Sequence, residues 1–294
     1  MTFTMTPNLK IGDRLVGPGH RVYVVAELGI NHNGSVDLAK DLIKAAAFAG
    51  CDAVKLQKRS VEIAYTKEQL ARPRTSVYGT TNRDLKQGLE FSVEQYRELS
   101  RFARRLNLEL FASCWDLDAI DAFMELDPSV IKIASPSLTD DRLLARARAT
   151  GLPVILSTGM TDERELTHAV EVIGPRGLAL LHCVNSYPTP RAEINLSKVT
   201  TLRCMFPDVV VGYSGHEEGI FPTIGAVALG AAIIERHLTL SRRLWGTDQA
   251  ASLEPEEMRT LVDAVRVIEQ SLGTGAIEVM PSELEQRDKL RLRT

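Results

Sequence analysis

The chain has 294 residues, of which 44% are hydrophobic and 25% are charged, as in an ordinary soluble globular protein. Its 35 basic and 38 acidic residues leave a formal net charge of −3, which argues against a general electrostatic grip on nucleic acid. The longest mostly apolar stretch, residues 220–234, is interrupted by Pro222 and is shorter than the ~20 apolar residues that a membrane-spanning helix needs. We therefore expect no nucleic-acid partner and no membrane segment.

The N-terminal segment and the cysteines bear on location. The first ten residues lack a basic start followed by an apolar run, so the sequence predicts no secretory signal. Cys51, Cys114, Cys183 and Cys204 are widely spaced and form no Cys-x-x-Cys pair, which is typical of free thiols in a reducing compartment. We expect a cytoplasmic protein without disulfides.

In chain order, short apolar runs alternate with amphipathic helical patterns. Residues 9–20 form a small turn-rich entry segment. Eight apolar runs follow, at 22–28, 53–57, 109–113, 130–133, 154–157, 178–182, 209–213 and 233–237. Helical patterns cover 36–49, 93–106, 140–150, 163–173 and 255–272. Continuous apolar runs separated by helices are typical of parallel strands that are covered on both faces.

Eight such strands predict an α/β fold, a closed (β/α)₈ TIM barrel with a short N-terminal turn-rich extension, since such barrels take about 250 residues. The competing open doubly wound sheet lacks the Gly-x-Gly-x-x-Gly that a dinucleotide site would place after the first strand. Gly50 and Gly151 follow helical patterns and predict left-handed helix caps. Residues 58–91 are predicted to form one long irregular connection, functional or disordered.

Every predicted strand ends in hydrogen-bonding or ionisable residues, and in a barrel these ends meet at one face. The strand ends carry Glu27, Lys55, Gln57, Ser113, Lys132, Ser135, Ser157, His182, Asn185, Ser214, His216 and His237. Two lysines among several serines favour a cradle for phosphate and carboxylate over internal pairing of the lysines. Glu27 is either paired with Lys55 or available for proton transfer. His216 and His237 end neighbouring strands and can meet at one metal, although spacing alone leaves the metal open.

Other candidates receive structural roles. His182 is assigned to the core or to orienting the site, and His20 and His168 to the surface. Cys114 and Cys183 lie beside the predicted site without an evident base partner, which favours buried spectators over nucleophiles.

The strand-end segments resemble the sialic acid synthase family, also called N-acetylneuraminate synthases, over about residues 10–273. The matching segments are AELGINHNG at 26–34, VKLQ at 54–57, IKIAS at 131–135, PVILSTGM at 153–160, LHCVNSYP at 181–188, VGYSGH at 211–216 and ERH at 235–237. Members of that family condense phosphoenolpyruvate with an N-acetylated hexosamine such as N-acetylmannosamine.

The resemblance implies a metal-dependent, C–C bond-forming transferase whose products are phosphate and a 3-deoxy-2-keto sugar acid similar to sialic acid. It implies that phosphoenolpyruvate is held by Lys55, Ser113, Lys132, Ser135, Ser157, Asn185 and Ser214. It assigns a divalent metal to His216 and His237, with Mn²⁺ expected first and Mg²⁺ or Co²⁺ as alternatives. Sugar contacts fall to Gln57, Tyr187 and Asp248, and catalysis to Glu27 as the acid/base together with His237 and Asp248.

The sequence departs from the family pattern at three places. Ser113 replaces the common threonine and keeps its hydroxyl. Ser137 stands where better-known members have a glutamate that contacts the amino sugar, which indicates a different acceptor. Typical members continue into a small antifreeze-like domain, whereas this sequence stops at Thr294 after a charged segment, 280–294. We therefore expect one synthase domain over 1–294, with the barrel at about 20–273 and no antifreeze-like domain.

The missing domain leaves open how the sugar is held. The connection at 58–91, with Arg59, Arg72, Arg74 and Arg83, is one alternative. A separate chain that completes the site is the other. The resemblance also implies a homodimer.

Two alternative functions remain. One is an enzyme similar to 3-deoxy-octulosonate phosphate synthases, with a phosphorylated sugar as acceptor. The other is a non-catalytic barrel that binds phosphoenolpyruvate.

Overall fold

The structure is a computed structural model that describes residues 7–291. The first six residues, where the absence of a signal was predicted, and the last three of the charged tail lie outside the described residues. The strands are β1 (Leu9–Ile11), β2 (Arg14–Val16), β3 (Tyr23–Gly29), β4 (Ala53–Lys58), β5 (Pro73–Ser76), β6 (Gly79–Thr81), β7 (Glu109–Cys114), β8 (Ile131–Ile133), β9 (Val154–Ser157), β10 (Leu178–Cys183), β11 (Val210–Gly215) and β12 (Ile233–His237).

Helices separate the barrel strands. They are α1 (Val36–Ala49), α2 (Val61–Ala64), α3 (Lys67–Ala71), α4 (Asn82–Leu89), α5 (Val93–Arg105), α6 (Leu117–Met124), α7 (Asp141–Ala149), α8 (Glu163–Ile173), α9 (Ser197–Met205), α10 (Phe221–Ala228), α11 (Pro255–Leu272) and α12 (Leu284–Leu290). Short 3₁₀ helices cover Ser135–Ser137, Arg191–Glu193, Gln249–Ala251 and Pro281–Glu283. Within residues 7–291, none of the helices has the length and apolar character needed to cross a membrane.

Eight parallel strands close into a barrel, in the order β3, β4, β7, β8, β9, β10, β11 and β12, with β12 paired to β3. The predicted (β/α)₈ barrel is confirmed. The register places Glu27 beside Lys55 on one side and beside His237 on the other. Closure of the sheet therefore brings the strand ends predicted for the site to one rim.

Local signals in the sequence set the helix boundaries. The Ser35 side chain accepts a hydrogen bond from the Leu38 amide at 3.2 Å and caps α1. Gly50 ends the same helix in the left-handed region at φ 80°, which confirms the predicted cap; Gly151 after α7 has φ 74°. The predicted entry segment is the hairpin β1–β2, whose Leu9 and Ile11 are buried.

The prediction of an irregular connection at 58–91 is wrong. It contains α2, α3, the hairpin β5–β6 and α4. The helices α2 and α3 have only 4 and 5 residues, too few for an apolar period to show. Longer elements were also missed, namely α6, α9, α10 and α12.

Candidate active site

A cavity of about 330 Å³ lies at the carboxyl ends of the barrel strands. Twelve residues predicted for the site line it: Glu27, Gln57, Ser113, Lys132, Ser135, Ser157, Asn185, Tyr187, Ser214, His216, His237 and Asp248. Lys55 lies directly behind them, since its ammonium contacts Glu27 at 2.9 Å and Ser113 at 2.7 Å. The structure therefore brings the whole predicted set together.

A cluster of two lysines and two glutamates forms the floor of this cavity. Lys55 Nζ lies 2.9 Å from Glu27 Oε2 and 3.3 Å from Glu235 Oε1. Lys132 Nζ lies 4.0 Å from Glu235 Oε2 and donates a short hydrogen bond to the Ser157 hydroxyl. Ser214 donates to Glu235 at 3.0 Å. The lysines are thus paired with glutamates inside the protein, which was the alternative that the sequence left open. The same lysines also donate hydrogen bonds to serine hydroxyls.

Burial and mutual attraction set the charges of this cluster. Burial raises the pKa of Glu27 to about 7, against the opposing effect of Lys55. Burial would also raise the pKa of Glu235, but Lys132 and Lys55 outweigh it and lower the value to about 2. Burial lowers the pKa of Lys132 to about 8, although Glu235 opposes this. At neutral pH, Glu235 is the fixed anion and Glu27 is poised to gain or lose a proton.

A polar corner forms where β8, β9 and β10 end. The Gly159 amide donates to Ser135 Oγ at 2.9 Å, and Cys183 Sγ lies 3.0 Å from the same hydroxyl. A Cβ atom at Gly159 would stand 2.5 Å from Asn185 Oδ1, so only glycine fits there. Burial raises the pKa of Cys183, which keeps the thiol protonated and fits its assignment as a spectator.

His216 and His237 form the opposite wall, with ring centroids 5.4 Å apart. The Nδ1 of His216 lies 2.7 Å from the Val184 carbonyl oxygen, a bond that leaves Nε2 with a free lone pair. The Nδ1 of His237 is buried without a hydrogen-bond partner among the described residues, 3.8 Å from Asp248 Oδ2. Burial lowers the pKa of both histidines to about 3, so both are neutral, the form that binds metal.

These histidines fit a metal that keeps open positions. Within residues 7–291, no group of three or more His, Cys, Asp or Glu side chains is arranged to hold an ion without help from other ligands. The available donors are two neutral imidazoles, and the Nδ1 of His237 has no other partner among the described residues. Such a pair suits a metal whose remaining coordination positions are filled by water or substrate.

The three residues predicted to contact the sugar surround Glu27 and the histidine pair. Gln57 donates to Glu27 Oε1 at 3.2 Å. The centroid of the Tyr187 ring lies 4.2 Å from that of the His216 ring, and the residue is 43% exposed. Asp248 accepts a hydrogen bond from Thr247 at 2.7 Å. A sugar aldehyde placed among these groups would lie next to Glu27.

Sequence reasoning missed part of the lining, which also includes Glu235, Tyr65, Lys86 and Trp115. A signal existed for Glu235, because strand side chains alternate and it precedes His237 by two residues on the same face of β12. Trp115 directly follows β7, at a strand end like those that carry the predicted polar groups.

The sequence predicted four arginines of residues 58–91 as residues that could hold the sugar. Arg59 lines the cavity, but Arg72, Arg74 and Arg83 do not. Arg83 is paired with Glu62 at 2.9 Å. Ser137 is buried and does not line the cavity either.

The remaining histidines and Cys114 have the structural roles predicted for them. His182 Nε2 is bonded to the Ile194 carbonyl oxygen at 2.7 Å in the core. His20 and His168 are exposed, and Cys114 is buried.

Known proteins are similar to this chain in sequence and in fold. The model of the NeuB family matches residues 42–277 of the chain. The chain belongs to the NeuB family. Human N-acetylneuraminate-9-phosphate synthase is 36% identical over 281 residues, which cover 94% of this chain and 78% of the human protein. The N,N'-diacetyllegionaminic acid synthase of Campylobacter jejuni is 34% identical over 271 residues, or 90% of this chain and 81% of that protein.

A solved structure extends the likeness to three dimensions. The N-acetylneuraminic acid (sialic acid) synthetase of Leptospira borgpetersenii, in complex with citrate, superposes with a TM-score of 0.88 at 32% identity. The match covers 98% of this chain and 99% of that one. The predicted family and enzyme class are confirmed: this NeuB chain is a synthase of the sialic acid type, which condenses phosphoenolpyruvate with a sugar. The roles of its individual residues remain predictions.

Proposed function

We propose that the protein condenses phosphoenolpyruvate with an N-acetylhexosamine-type aldose, N-acetylmannosamine or a related sugar, and with water. The products are a 3-deoxy-2-keto sugar acid similar to sialic acid and phosphate. The observation that carries the proposal is one cavity lined by Lys132, Glu27 and a pair of neutral histidines, with Lys55 directly behind Glu27. The printed names of the human and Campylobacter relatives support this product class.

The lysine side of the cavity binds phosphoenolpyruvate in this proposal. Lys55 and Lys132 offset the charge of the anion, and hydroxyls and an amide surround them. These groups are Ser113, Ser135, Ser157, Asn185 and Ser214. Because they are held by strand ends, they need little reorganisation as charge develops on the reacting atoms.

Glu27 handles the proton. Its carboxylate lies between Lys55 and Gln57, and its pKa of about 7 lets it accept a proton from water near neutral pH. Glu27 first acts as the acid: the double bond of phosphoenolpyruvate attacks the carbon of the sugar aldehyde, and the aldehyde oxygen takes the Glu27 proton to become a hydroxyl. Water then adds at the cationic enol carbon while the ionised Glu27 accepts its proton. The C–O bond to phosphate breaks, the phosphate takes the proton of the new hydroxyl, and a 2-keto group remains. Gln57, Tyr187 and Asp248 orient the sugar.

We assign a divalent metal to His216 and His237, with Mn²⁺ first and Mg²⁺ or Co²⁺ as alternatives. When bound, it supplies a Lewis acid that polarises the sugar aldehyde. We further propose a homodimer in the cytoplasm. The cysteines of residues 7–291 are all free thiols, which fits a reducing compartment.

The test is consumption of phosphoenolpyruvate, with Mn²⁺, across a panel of aldoses. The panel contains N-acetylmannosamine, its 6-phosphate, diacetylated 6-deoxyhexoses, and plain hexoses and pentoses. We expect turnover with an acylamino sugar, loss of that turnover with a chelator, and its return when Mn²⁺ is added.

Two variants serve as controls on the site. Glu27→Gln keeps the shape of the side chain but removes the base, and we expect its rate to fall by roughly 10²–10⁴-fold. His237→Ala removes a proposed metal ligand. Wild-type rates in both variants, or no turnover of any aldose, would refute the assignment.

A further inference from the structure

A buried ion pair connects the strands that carry the two histidines of the candidate site. Glu217 directly follows His216 in the chain, and Arg236 directly precedes His237. Glu217 Oε1 and Arg236 Nη1 lie 3.0 Å apart, and the two side chains are 0% and 1% exposed. Neither residue lines the cavity of the candidate site. Any effect of this pair on the site must therefore pass through the neighbouring histidines.

The carboxylate of Glu217 is held at both oxygens. The Tyr213 hydroxyl donates to Oε2 at 2.7 Å, and the Thr223 hydroxyl donates to Oε1 at 2.8 Å. Gly215 makes room for this arrangement, because a Cβ atom there would stand 2.5 Å from Glu217 Oε2. The carboxylate is thus fixed by β11 and by α10 as well as by the guanidinium of Arg236.

The guanidinium of Arg236 continues the connection between β11 and β12 beyond the end of their backbone pairing. That pairing ends at Gly215 and Arg236. Arg236 Nη2 donates to the Glu217 carbonyl oxygen at 2.7 Å, and Nη1 donates to the Gly219 carbonyl oxygen at 2.8 Å. His216 lies between the last paired residue and the first of these bonds. The side chain of Arg236 therefore holds the backbone on the far side of His216.

Stability alone is a weak reason for burying this pair. The cost of removing two charges from water can exceed their attraction, and apolar residues often replace such pairs without loss of stability. A planar guanidinium instead supplies several donors in fixed directions. Strand alternation places Arg236 on the outer side of β12, whereas Glu235 and His237 line the cavity. The pair is thus suited to fix geometry from behind the site.

We propose that Glu217 and Arg236 are positioning residues that set the separation and orientation of His216 and His237, and with them the affinity of the site for its metal. The inference rests on the proposed function, of which the metal is a part. The ring centroids of the two histidines lie 5.4 Å apart. A site with only two protein ligands depends on their relative position, because no third side chain corrects a displacement.

The experiment titrates the metal-free protein with Co²⁺, one of the proposed metals, and follows the visible absorption of the bound ion, which reports its coordination geometry. Arg236→Lys keeps the charge but loses the planar fork. We expect its dissociation constant for Co²⁺ to rise by roughly 10–100-fold, with a changed spectrum, as for other residues that orient metal ligands. The affinity for phosphoenolpyruvate, measured by calorimetry without metal, should not change.

A second variant covers the case in which Arg236→Lys does not fold, which urea unfolding reveals. The double substitution Glu217→Gln/Arg236→Gln removes both charges together and so leaves no unpaired charge buried. Its amides are too short to reproduce the whole set of bonds, so we expect the same loss of Co²⁺ affinity. Arg146→Lys is the matched control, since it makes the same change in an ion pair between α6 and α7, where Arg146 Nε donates to Asp121 at 2.8 Å. It should bind Co²⁺ as the wild type does.

Three results would overturn the inference. In the first, the folded variants at 217 and 236 bind Co²⁺ with the affinity and spectrum of the wild type. In the second, they lose Co²⁺ and phosphoenolpyruvate affinity equally, so the pair supports only the fold. Both results leave the proposed function standing. In the third, the wild type binds Co²⁺ no better than His237→Ala, which refutes the metal assignment and the inference with it; turnover in the aldose panel then decides the rest of the proposed function.

Discussion

At the scale of single residues, the strand ends were the predictable part of the site. Parallel strands of one barrel end at one rim, so Lys55, Lys132 and Glu27 converge wherever the helices lie. The alternation of side chains along β12 indicated where Glu235 points, but not its partners Lys55 and Ser214, which come from other strands. Pairing across the barrel depends on distances that only the folded chain provides.

Replacing Glu235 by Gln tests its effect on the lysines. Glu235 opposes the lowering of the Lys132 pKa by burial, so without its charge that pKa falls further below about 8. Phosphoenolpyruvate binding needs a charged Lys132. As the pH rises, binding to the variant should therefore begin to weaken at a lower pH than binding to the wild type does. The measurement is the KM for phosphoenolpyruvate between pH 6 and 9.

Glu218→Gln is the control for this change, because Glu218 is exposed on the loop after β11. The Glu218→Gln variant also loses one negative charge, but Glu218 forms no ion pair with Lys55 or Lys132. Superimposable pH profiles for Glu235→Gln and Glu218→Gln would show that Glu235 does not keep Lys132 charged.

At the scale of elements, long apolar periods were predictable and short insertions were not. The helix α1 shows its buried face over 14 residues, and its predicted bounds match the structure. The helices of residues 58–91 are held instead by a few anchors, Leu70, Leu85 and Leu89, and by capping boxes at Thr66 and Thr81. Such anchors leave no period in the sequence, which is why these helices were missed.

Gly88→Ala tests how α4 seats the hairpin β5–β6. Alanine favours a helix over glycine by about 1 kcal/mol, but a Cβ here would overlap the ring of Tyr78. Overpacking of this kind costs ~1–3 kcal/mol. This cost should exceed the gain in helix propensity, so the substitution should loosen the hairpin. We expect faster tryptic cleavage after Arg74, by about five-fold for each kcal/mol lost.

Gln87→Ala is the control, since it changes an exposed neighbour on the same helix. Its cleavage rate should match that of the wild type. If Gly88→Ala is cleaved no faster than this control, Tyr78 does not couple α4 to the hairpin.

At the scale of the whole molecule, the stability of the barrel depends on pH through buried histidines. His32 stacks on Phe91 with ring centroids 4.2 Å apart, and its Nδ1 accepts a hydrogen bond from the Gly34 amide at 3.0 Å. Burial, with a smaller effect of Arg59, lowers its pKa to about 3. The turn that carries it was predictable from its Asn and Gly residues, but the ring that covers it comes from a segment almost 60 positions away.

The sign of this effect follows from linkage. Between pH ~3 and ~6.5 the unfolded chain binds a proton at His32 that the folded chain does not, so the free energy of unfolding rises with pH. The slope from one such group reaches ~1.4 kcal/mol per pH unit. Glu27 has the opposite sign, because its pKa is raised by burial, but it is common to the wild type and to His32→Gln and cancels in their difference.

We therefore expect His32→Gln to lower the free energy of unfolding at pH 7 and to flatten its pH dependence. The measurement is urea unfolding of both proteins, with a chelator present, from pH 4.5 to 7. The difference between them should grow as the pH rises and level off above ~6.5. His20→Gln, the substitution of an exposed histidine ahead of β3, separates burial from the mere loss of an imidazole. A constant difference across this range would mean that His32 contributes packing alone, because packing lost with the ring has no reason to vary with proton concentration.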